Sequence, residues 1–244
     1  MINGLAGTSE DWDPRFLAGL AARSTLLLVD NRGLGASPDP GGPFSIPDLA
    51  EDCARLMASE LAGQPAAVLG WSMGGFIAQG LALEHPELVR KLVLLSTDPG
   101  GPGAELGAPG VLEQLVDLSP PPDEQARRVL SLLFDEATAA ALYPQVGQIV
   151  AAARAQLNQD VLERQRSALD AWQRAGVADR LGEISVPVLV AAGTADRVVP
   201  PGNSLALAQH ISDAWLLRFR GGGHAFMAQH PAVLSTVINE FLAL

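Results

Sequence analysis

The segment Ala66-Ala67-Val68-Leu69-Gly70-Trp71-Ser72-Met73-Gly74-Gly75 constrains the chain more than any other. A short apolar run stops at Gly70, and a helical pattern over residues 76–85 comes immediately after it. A chain that passes from strand to helix so abruptly must reverse sharply, which forces the residue at the reversal toward positive φ. For a non-glycine residue that conformation costs roughly 1–3 kcal/mol. Ser72 stands there, between Gly70 and Gly74, which carry no side chains to obstruct the turn. Gly-x-Ser-x-Gly in this setting lifts a serine above the end of a sheet as a nucleophile. In a chain with 25 glycines the five-letter pattern alone says little, because a serine between small residues also fits an ordinary tight turn. The weight rests on the strand before it, the helix after it and the partners elsewhere in the chain.

Apolar runs at 25–29, 66–69, 92–95 and 188–192, with a further strand-like stretch at 215–219, alternate with helical patterns at 47–61, 76–85, 203–210 and 231–242. Continuous apolar runs of this length suit strands buried on both faces of a parallel sheet. The alternation predicts an α/β fold with right-handed crossovers. Polar residues just past the strands then gather along the C-terminal edge of the sheet, where such folds bind ligands. Residues 99–182 break the pattern: they hold breakers such as Ser119-Pro120-Pro121-Pro122 and helical stretches at 124–134, 146–157 and 160–172, but no strand. The expected organisation is a core of 1–98 and 183–244 with an all-helical cap, 99–182, inserted after the strand ending near Ser96.

Composition removes several classes. The formal charge is −11 with Lys91 the only lysine, so no basic stripe exists for nucleic acid. Cys53 is alone, which rules out an intrachain disulfide and a multi-cysteine metal site. No charged leader with an apolar core opens the chain, and no run nears 18 apolar residues. The expectation is a soluble, cytoplasmic protein that does not engage membranes.

A serine hydroxyl is a poor nucleophile until a base takes its proton, and the base needs a carboxylate to fix its tautomer. Of four histidines, His224 lies in Gly221-Gly222-Gly223-His224, a flexible loop directly after the last strand. His85, before Pro86, and His210 sit near helix ends, and His230 precedes Pro231 at a helix entry. His224 is the predicted base. The predicted acid is Asp196, in Gly193-Thr194-Ala195-Asp196 after the penultimate strand, which gives the order Ser, Asp, His. Asp98, just past the 92–95 run, is its rival at the same sheet edge. The oxyanion that forms on attack needs two fixed donors. These are expected from the Met73 N–H and, in the Asn3-Gly4-Leu5-Ala6-Gly7 loop, from Leu5 N–H, with Gly4 next in line.

With these residues in place, the chain resembles the α/β-hydrolase superfamily over nearly its whole length. The matches are Asn3-Gly4-Leu5-Ala6-Gly7 with Trp12, the segment 30–37, the Ser72 turn, residues 193–200 and Gly222-Gly223-His224. The nearest likeness is to small capped esterases, enol-lactonases and cofactor-free haloperoxidase-like members. The resemblance implies that segment 30–37 is structural and that no metal or organic cofactor is needed. It also implies that Trp71 either lines the substrate site or packs beneath the cap. Two departures stand out: Asn3 replaces a common histidine, and only Met1-Ile2 precede the loop where members have two strands and most of a third. Either the start is assigned too late or the edge hairpin is missing. In the second case the 26–29 strand would expose its backbone at a sheet edge, and self-association through that edge is expected.

The leading functional expectation is hydrolysis of a small, fairly apolar carboxylic ester or lactone through an acyl-enzyme on Ser72. The same triad can serve C–C bond hydrolysis, perhydrolysis or elimination, and the fold can also bind a ligand without turning it over. Anionic substrates would require inward-pointing cap arginines from among Arg127, Arg128, Arg154, Arg164 and Arg166. A haloalkane dehalogenase is excluded, because it needs a carboxylate where Ser72 stands.

Overall fold

The apolar runs become strands because both of their faces are covered. In the computed structural model, which describes residues 1–244, β1 (Ala66–Trp71), β2 (Val89–Leu95), β3 (Val188–Gly193) and β4 (Trp215–Phe219) form one sheet in the order β1-β2-β3-β4. Every pair is parallel. Alternate side chains enter opposite layers. Leu92, Leu94, Val188 and Val190 pack with residues of α2 (Ile46–Glu60) and α3 (Met73–Glu84). Val93, Leu95, Leu189 and Ala191 pack with α1 (Pro14–Ala21) and α10 (Pro231–Ala243). Full burial of each larger side chain contributes roughly 1.5–3 kcal/mol, so both faces bind the sheet firmly to its helices. Lys91 is the one charged residue of this central sheet to be buried; its ammonium donates to the Phe241 and Leu242 carbonyls at 2.8 and 3.3 Å, at the C-terminal end of α10.

The parallel register aligns the strand ends that matter. Trp71 pairs with Leu95, Leu95 with Ala191, and Gly193 with Phe219. Residues 72, 96–98, 194–196 and 221–224 therefore emerge along one edge.

The predicted strand at 25–29 does not form. Ile2 makes single parallel bridges to Gly70 and to Val29, and residues 25–28 are irregular. Pairing is limited to Val29 N–H donating to the Met1 carbonyl (3.0 Å) and the Met1 amine donating to the Leu27 carbonyl (2.7 Å). One bridge and two hydrogen bonds do not make the repeating ladder that defines a strand.

Helix starts obey capping chemistry. Ser45 and Asp48 form a reciprocal capping box ahead of α2. Helix α1 lies outside the helices expected from periodicity, yet its start is well specified: Asp13 accepts from the Arg15 and Phe16 N–H groups, and Pro14 takes the first position. Between β2 and β3 lie α4 (Val111–Val116), α5 (Pro122–Leu133), α6 (Glu136–Ala155) and α7 (Gln159–Ala175), with no strand. The expected helix at 146–157 starts earlier, at Glu136, and runs through Pro144. An interior proline costs about 3 kcal/mol; here the Asp135 cap and packing of α6 along α5 outweigh it. Helix α7 is seated on the core through Trp172, stacked on Phe76 of α3 at 5.3 Å between centroids. The remaining α-helices are α8 (Gly202–His210) and the short α9 (Phe226–Gln229). No helix is long and apolar enough to cross a membrane.

Candidate active site

Ser72 adopts φ 57° and ψ −124°, the positive-φ conformation that the strand–helix junction demands. Its backbone is pinned on three sides. The N–H donates to the Leu95 carbonyl (2.9 Å), and its own carbonyl accepts from Gly75 N–H and Thr97 Oγ1, both at 2.8 Å. Although Ser72 is the N-cap of α3, its hydroxyl makes no capping hydrogen bond, so the oxygen is left free for other work. The flanking glycines are required by close approach. A Cβ on Gly70 would lie 2.2 Å from the Gly74 carbonyl oxygen, and one on Gly74 would lie 2.2 Å from that of Ile2.

His224 and Asp196 meet as a buried pair: His224 Nδ1 lies 2.8 Å from Asp196 Oδ2, with the two side chains 3% and 0% exposed. Asp196 Oδ1 accepts from the Val198 and Val199 N–H groups at 2.9 Å each, which fixes the carboxylate's orientation. Because an ionised carboxylate only accepts, the proton of the pair sits on Nδ1, leaving Nε2 as the basic nitrogen. The histidine loop is tied down by Ala195 N–H to the Gly222 carbonyl, Gly223 N–H to Gln229 Oε1, and Trp71 Nε1 to the His224 carbonyl (3.0 Å). No hydrogen bond joins Ser72 to His224 in this structure. The other histidines are engaged elsewhere: His85 with Glu51, His210 with the Ala206 carbonyl, and His230 stacked on Phe219.

The loop 3–7 runs directly over the serine. Asn3, fully buried, accepts the Gly4 N–H at 2.8 Å and donates to the Thr8 carbonyl at 2.6 Å. Gly4 is thereby committed, whereas the Leu5 and Met73 N–H groups donate to no protein acceptor. Ala6, at φ 60°, donates to Oε1 of the fully buried Gln165 at 2.9 Å, tying this loop to α7. Asp30 braces the neighbouring turns, accepting from Ser9 and Ala36 N–H groups. Sequence reasoning did not find Gln165; its only signal is a polar residue on the apolar stripe of a helix.

Ser72 opens into a cavity of about 440 Å³. Leu5, Phe76, Leu106, Val111, Leu169 and Val198 supply its apolar wall, and Asp98, Glu105, Glu113, Asp170, Gln173 and Arg174 the polar remainder. Trp71 is not part of this wall, which corrects its expected substrate-binding place. Its ring lies 5.4 Å from that of His224 and 5.9 Å from that of Trp12, so it supports the histidine from behind. Trp71 is the large ring next to the serine in sequence, but the strand's alternation turns it into the α1–α10 layer. None of the five arginines considered from sequence lines the cavity; Arg127 stacks on Tyr143, Arg128 pairs with Asp117 and Arg164 with Asp39. A second cavity, of about 420 Å³ and mostly apolar, lies toward the N-terminal ends of the strands and contains none of these groups. No three or more His, Cys, Asp or Glu side chains are gathered to hold a metal ion.

Asp98 does not touch His224. It is 2% exposed and accepts from Gly100 N–H (2.7 Å) and from Gln173 Nε2 (3.1 and 3.0 Å to its two oxygens). Burial pushes its carboxyl up to about 6, against the opposing pull of those hydrogen bonds.

The sequence matches the α/β hydrolase fold family over residues 1–231, and the chain belongs to that family of enzymes. It is 32% identical to a putative carbamate hydrolase, RutD, of Azorhizobium caulinodans, over 98% of this chain and 88% of that protein. It is 33% identical to a 2-hydroxy-6-oxo-6-phenylhexa-2,4-dienoate hydrolase of Burkholderia cepacia over 77% of this chain and 66% of that one. Among solved structures, the enol-lactonase of Burkholderia xenovorans superposes with a TM-score of 0.82 at 25% identity, covering 100% of this chain and 90% of the other. The chain is therefore a hydrolase of the α/β type.

Proposed function

We propose that the protein is a serine hydrolase that cleaves a small, fairly apolar carboxylic ester or lactone through an acyl-enzyme on Ser72. The observation that carries this reading is the buried Asp196–His224 pair on the same sheet edge as a serine held at positive φ, with its hydroxyl unused by the fold. In the first step His224 Nε2 takes the Ser72 proton as Oγ attacks the carbonyl carbon. Asp196 keeps the imidazole in the Nδ1–H tautomer and stabilises the imidazolium that forms. Charge developing on the carbonyl oxygen is met by the Leu5 and Met73 N–H groups; a fixed donor of this kind contributes about 10²–10³ in rate. His224 then returns the proton to the leaving alkoxide, and water, activated by the same nitrogen, releases the acid. The absence of a Ser72–His224 hydrogen bond in the free protein is compatible with this scheme, because such bonds commonly tighten only when substrate is bound.

The names of the relatives, a carbamate hydrolase and an enol-lactonase, both describe attack at a carbonyl, in line with this reading. C–C bond hydrolysis, which the name of the dienoate hydrolase brings forward, shares the triad but uses a carboxylate-bearing substrate. The cavity wall, with four carboxylic side chains against Arg174, weighs against it. Ser72→Ala should abolish turnover of p-nitrophenyl acetate and labelling by a fluorophosphonate. Retained turnover in that variant would remove Ser72 from the reaction.

A further inference from the structure

The wall of the Ser72 cavity holds more acid than the proposed reaction uses. Asp196 is committed to His224 and two backbone donors. Asp98 is a second buried carboxyl, and it lines the same cavity as Ser72. Its partners, the Gly100 N–H and the Gln173 amide, and the nearby Trp172 indole N–H are all neutral, and no arginine, lysine or histidine forms an ion pair with it. A buried carboxylate without a counter-charge is costly, and the raised value of Asp98 registers that cost. Beside it, Gln173 Oε1 is a buried acceptor with no donor at all. A buried carboxylate without a counter-charge and an amide oxygen without a donor thus line one cavity, whose remaining charged wall residues are Glu105, Glu113, Asp170 and Arg174.

We infer that Asp98 and Gln173 form a recognition end of the cavity for a protonated amine, so that the preferred substrates are esters carrying an ammonium group away from the scissile carbonyl. This rests on the assignment of Ser72 as nucleophile in that cavity. An ammonium brings the two things this end lacks: three donors and one positive charge. A methyl in its place leaves the carboxylate without a counter-charge and the Gln173 oxygen without a donor, and a carboxylate adds like-charge repulsion. Hydrogen bonds that involve a charged group are worth enough to separate ammonium from methyl by about 10- to 100-fold.

The test compares kcat/KM at about pH 8, where Asp98 is ionised, for p-nitrophenyl 6-aminohexanoate and 3-aminopropionate against their methyl isosteres, heptanoate and butyrate, with the pimelate monoester as the anionic probe. The wild-type enzyme should prefer at least one ammonium ester over its isostere by 10-fold or more and should disfavour pimelate relative to heptanoate. Asp98→Asn should bring the ammonium-to-methyl ratio to within about threefold of unity, and Gln173→Leu should lower it. A wild-type ratio at or below one at both chain lengths overturns the proposal without reference to any variant. If no ester is turned over, including the neutral ones, the nucleophile assignment has failed, and calorimetry with hexylammonium against 1-hexanol decides recognition separately. Ammonium-selective binding that Asp98→Asn removes would then support it, and equal or absent binding would overturn it.

Discussion

Adding one methyl group at Gly4 probes how closely the 3–7 loop overlies the nucleophile. Gly4 does not occupy the positive-φ region, so alanine fits its backbone, and any effect must come from the methyl itself. An ideal Cβ there lies 3.0 Å from Ser72 Cβ, 3.3 Å from the Trp71 carbonyl oxygen and 3.5 Å from Ser72 Oγ. Carbon atoms prefer about 3.5–4.0 Å, so one side must retreat by roughly half an ångström. Ser72 is held by Leu95, Thr97 and Gly75, so the yielding side is the loop, and Leu5 N–H moves with it. Misplacement by about 1 Å costs on the order of 10²-fold in rate; half of that predicts a fall in kcat of about 10-fold for Gly4→Ala, with KM nearly unchanged. Overpacking costs about 1–3 kcal/mol. At roughly 2–4 °C per kcal/mol for a domain of this size, Tm should drop by about 2–12 °C. Steady-state hydrolysis of p-nitrophenyl acetate and a thermal melt measure both quantities. A variant with wild-type kcat and an unshifted Tm would show that the loop is not apposed to Ser72 as described.

Two buried polar groups carry the other expectations. Gln165→Leu removes the acceptor of the Ala6 N–H, and should lower kcat more than it raises KM and weaken a trifluoromethyl ketone inhibitor by a similar factor; equal inhibition by this oxyanion mimic would dissociate Gln165 from the donor loop. Asp98 holds its proton up to about 6, above its ordinary value of 3.8, so the folded chain binds more protons than the unfolded chain between those values. Stability contributed by the protonated form is complete below about pH 4 and is lost as pH rises through 6, a change on the order of 3 kcal/mol. Urea melts should show this decline in the wild type and a flatter profile in Asp98→Asn, whereas identical slopes would contradict the assignment.

The parts of the site that are legible in the sequence are those fixed by local backbone demands. The Ser72 turn can be read because Gly70 and Gly74 are needed within a few residues of the strand, and the structure places Ser72 at φ 57°. Asp196 and His224 can be paired because each comes just after a buried strand, and parallel strands deliver such residues to one edge. Where the reading falls short, the deciding information is remote. The 25–29 run has strand composition, but its ladder depends on the segment beside it, and only Ile2 bridges to it. Trp71 suggests a substrate contact by size and adjacency, while its place is set by strand parity. Pro144 argues for a break that packing against α5 overrides. Gln165 and Gln173 are ordinary polar letters in a helix rich in charge until Ala6 and Asp98, remote in sequence, fold against them.

Helix α7 links the features that sequence does not anticipate. Gln165, Leu169, Trp172 and Gln173 recur at i, i+4, i+7 and i+8, which places them on one helical face. Gln165 holds the loop that carries Leu5, Leu169 forms part of the cavity's apolar wall, Trp172 stacks on the helix that Ser72 caps, and Gln173 meets Asp98. A rotation or shift of α7 would therefore move the Leu5 loop and the polar end of the cavity together. Exchange of exposed α7 residues outside this face, such as Glu163 or Ser167, leaves those four contacts intact, whereas any change of helix register disturbs all of them. On the proposed reading, substrate choice and transition-state stabilisation are coupled through α7, because this one helix contacts both the loop that carries Leu5 and the Asp98 end of the cavity.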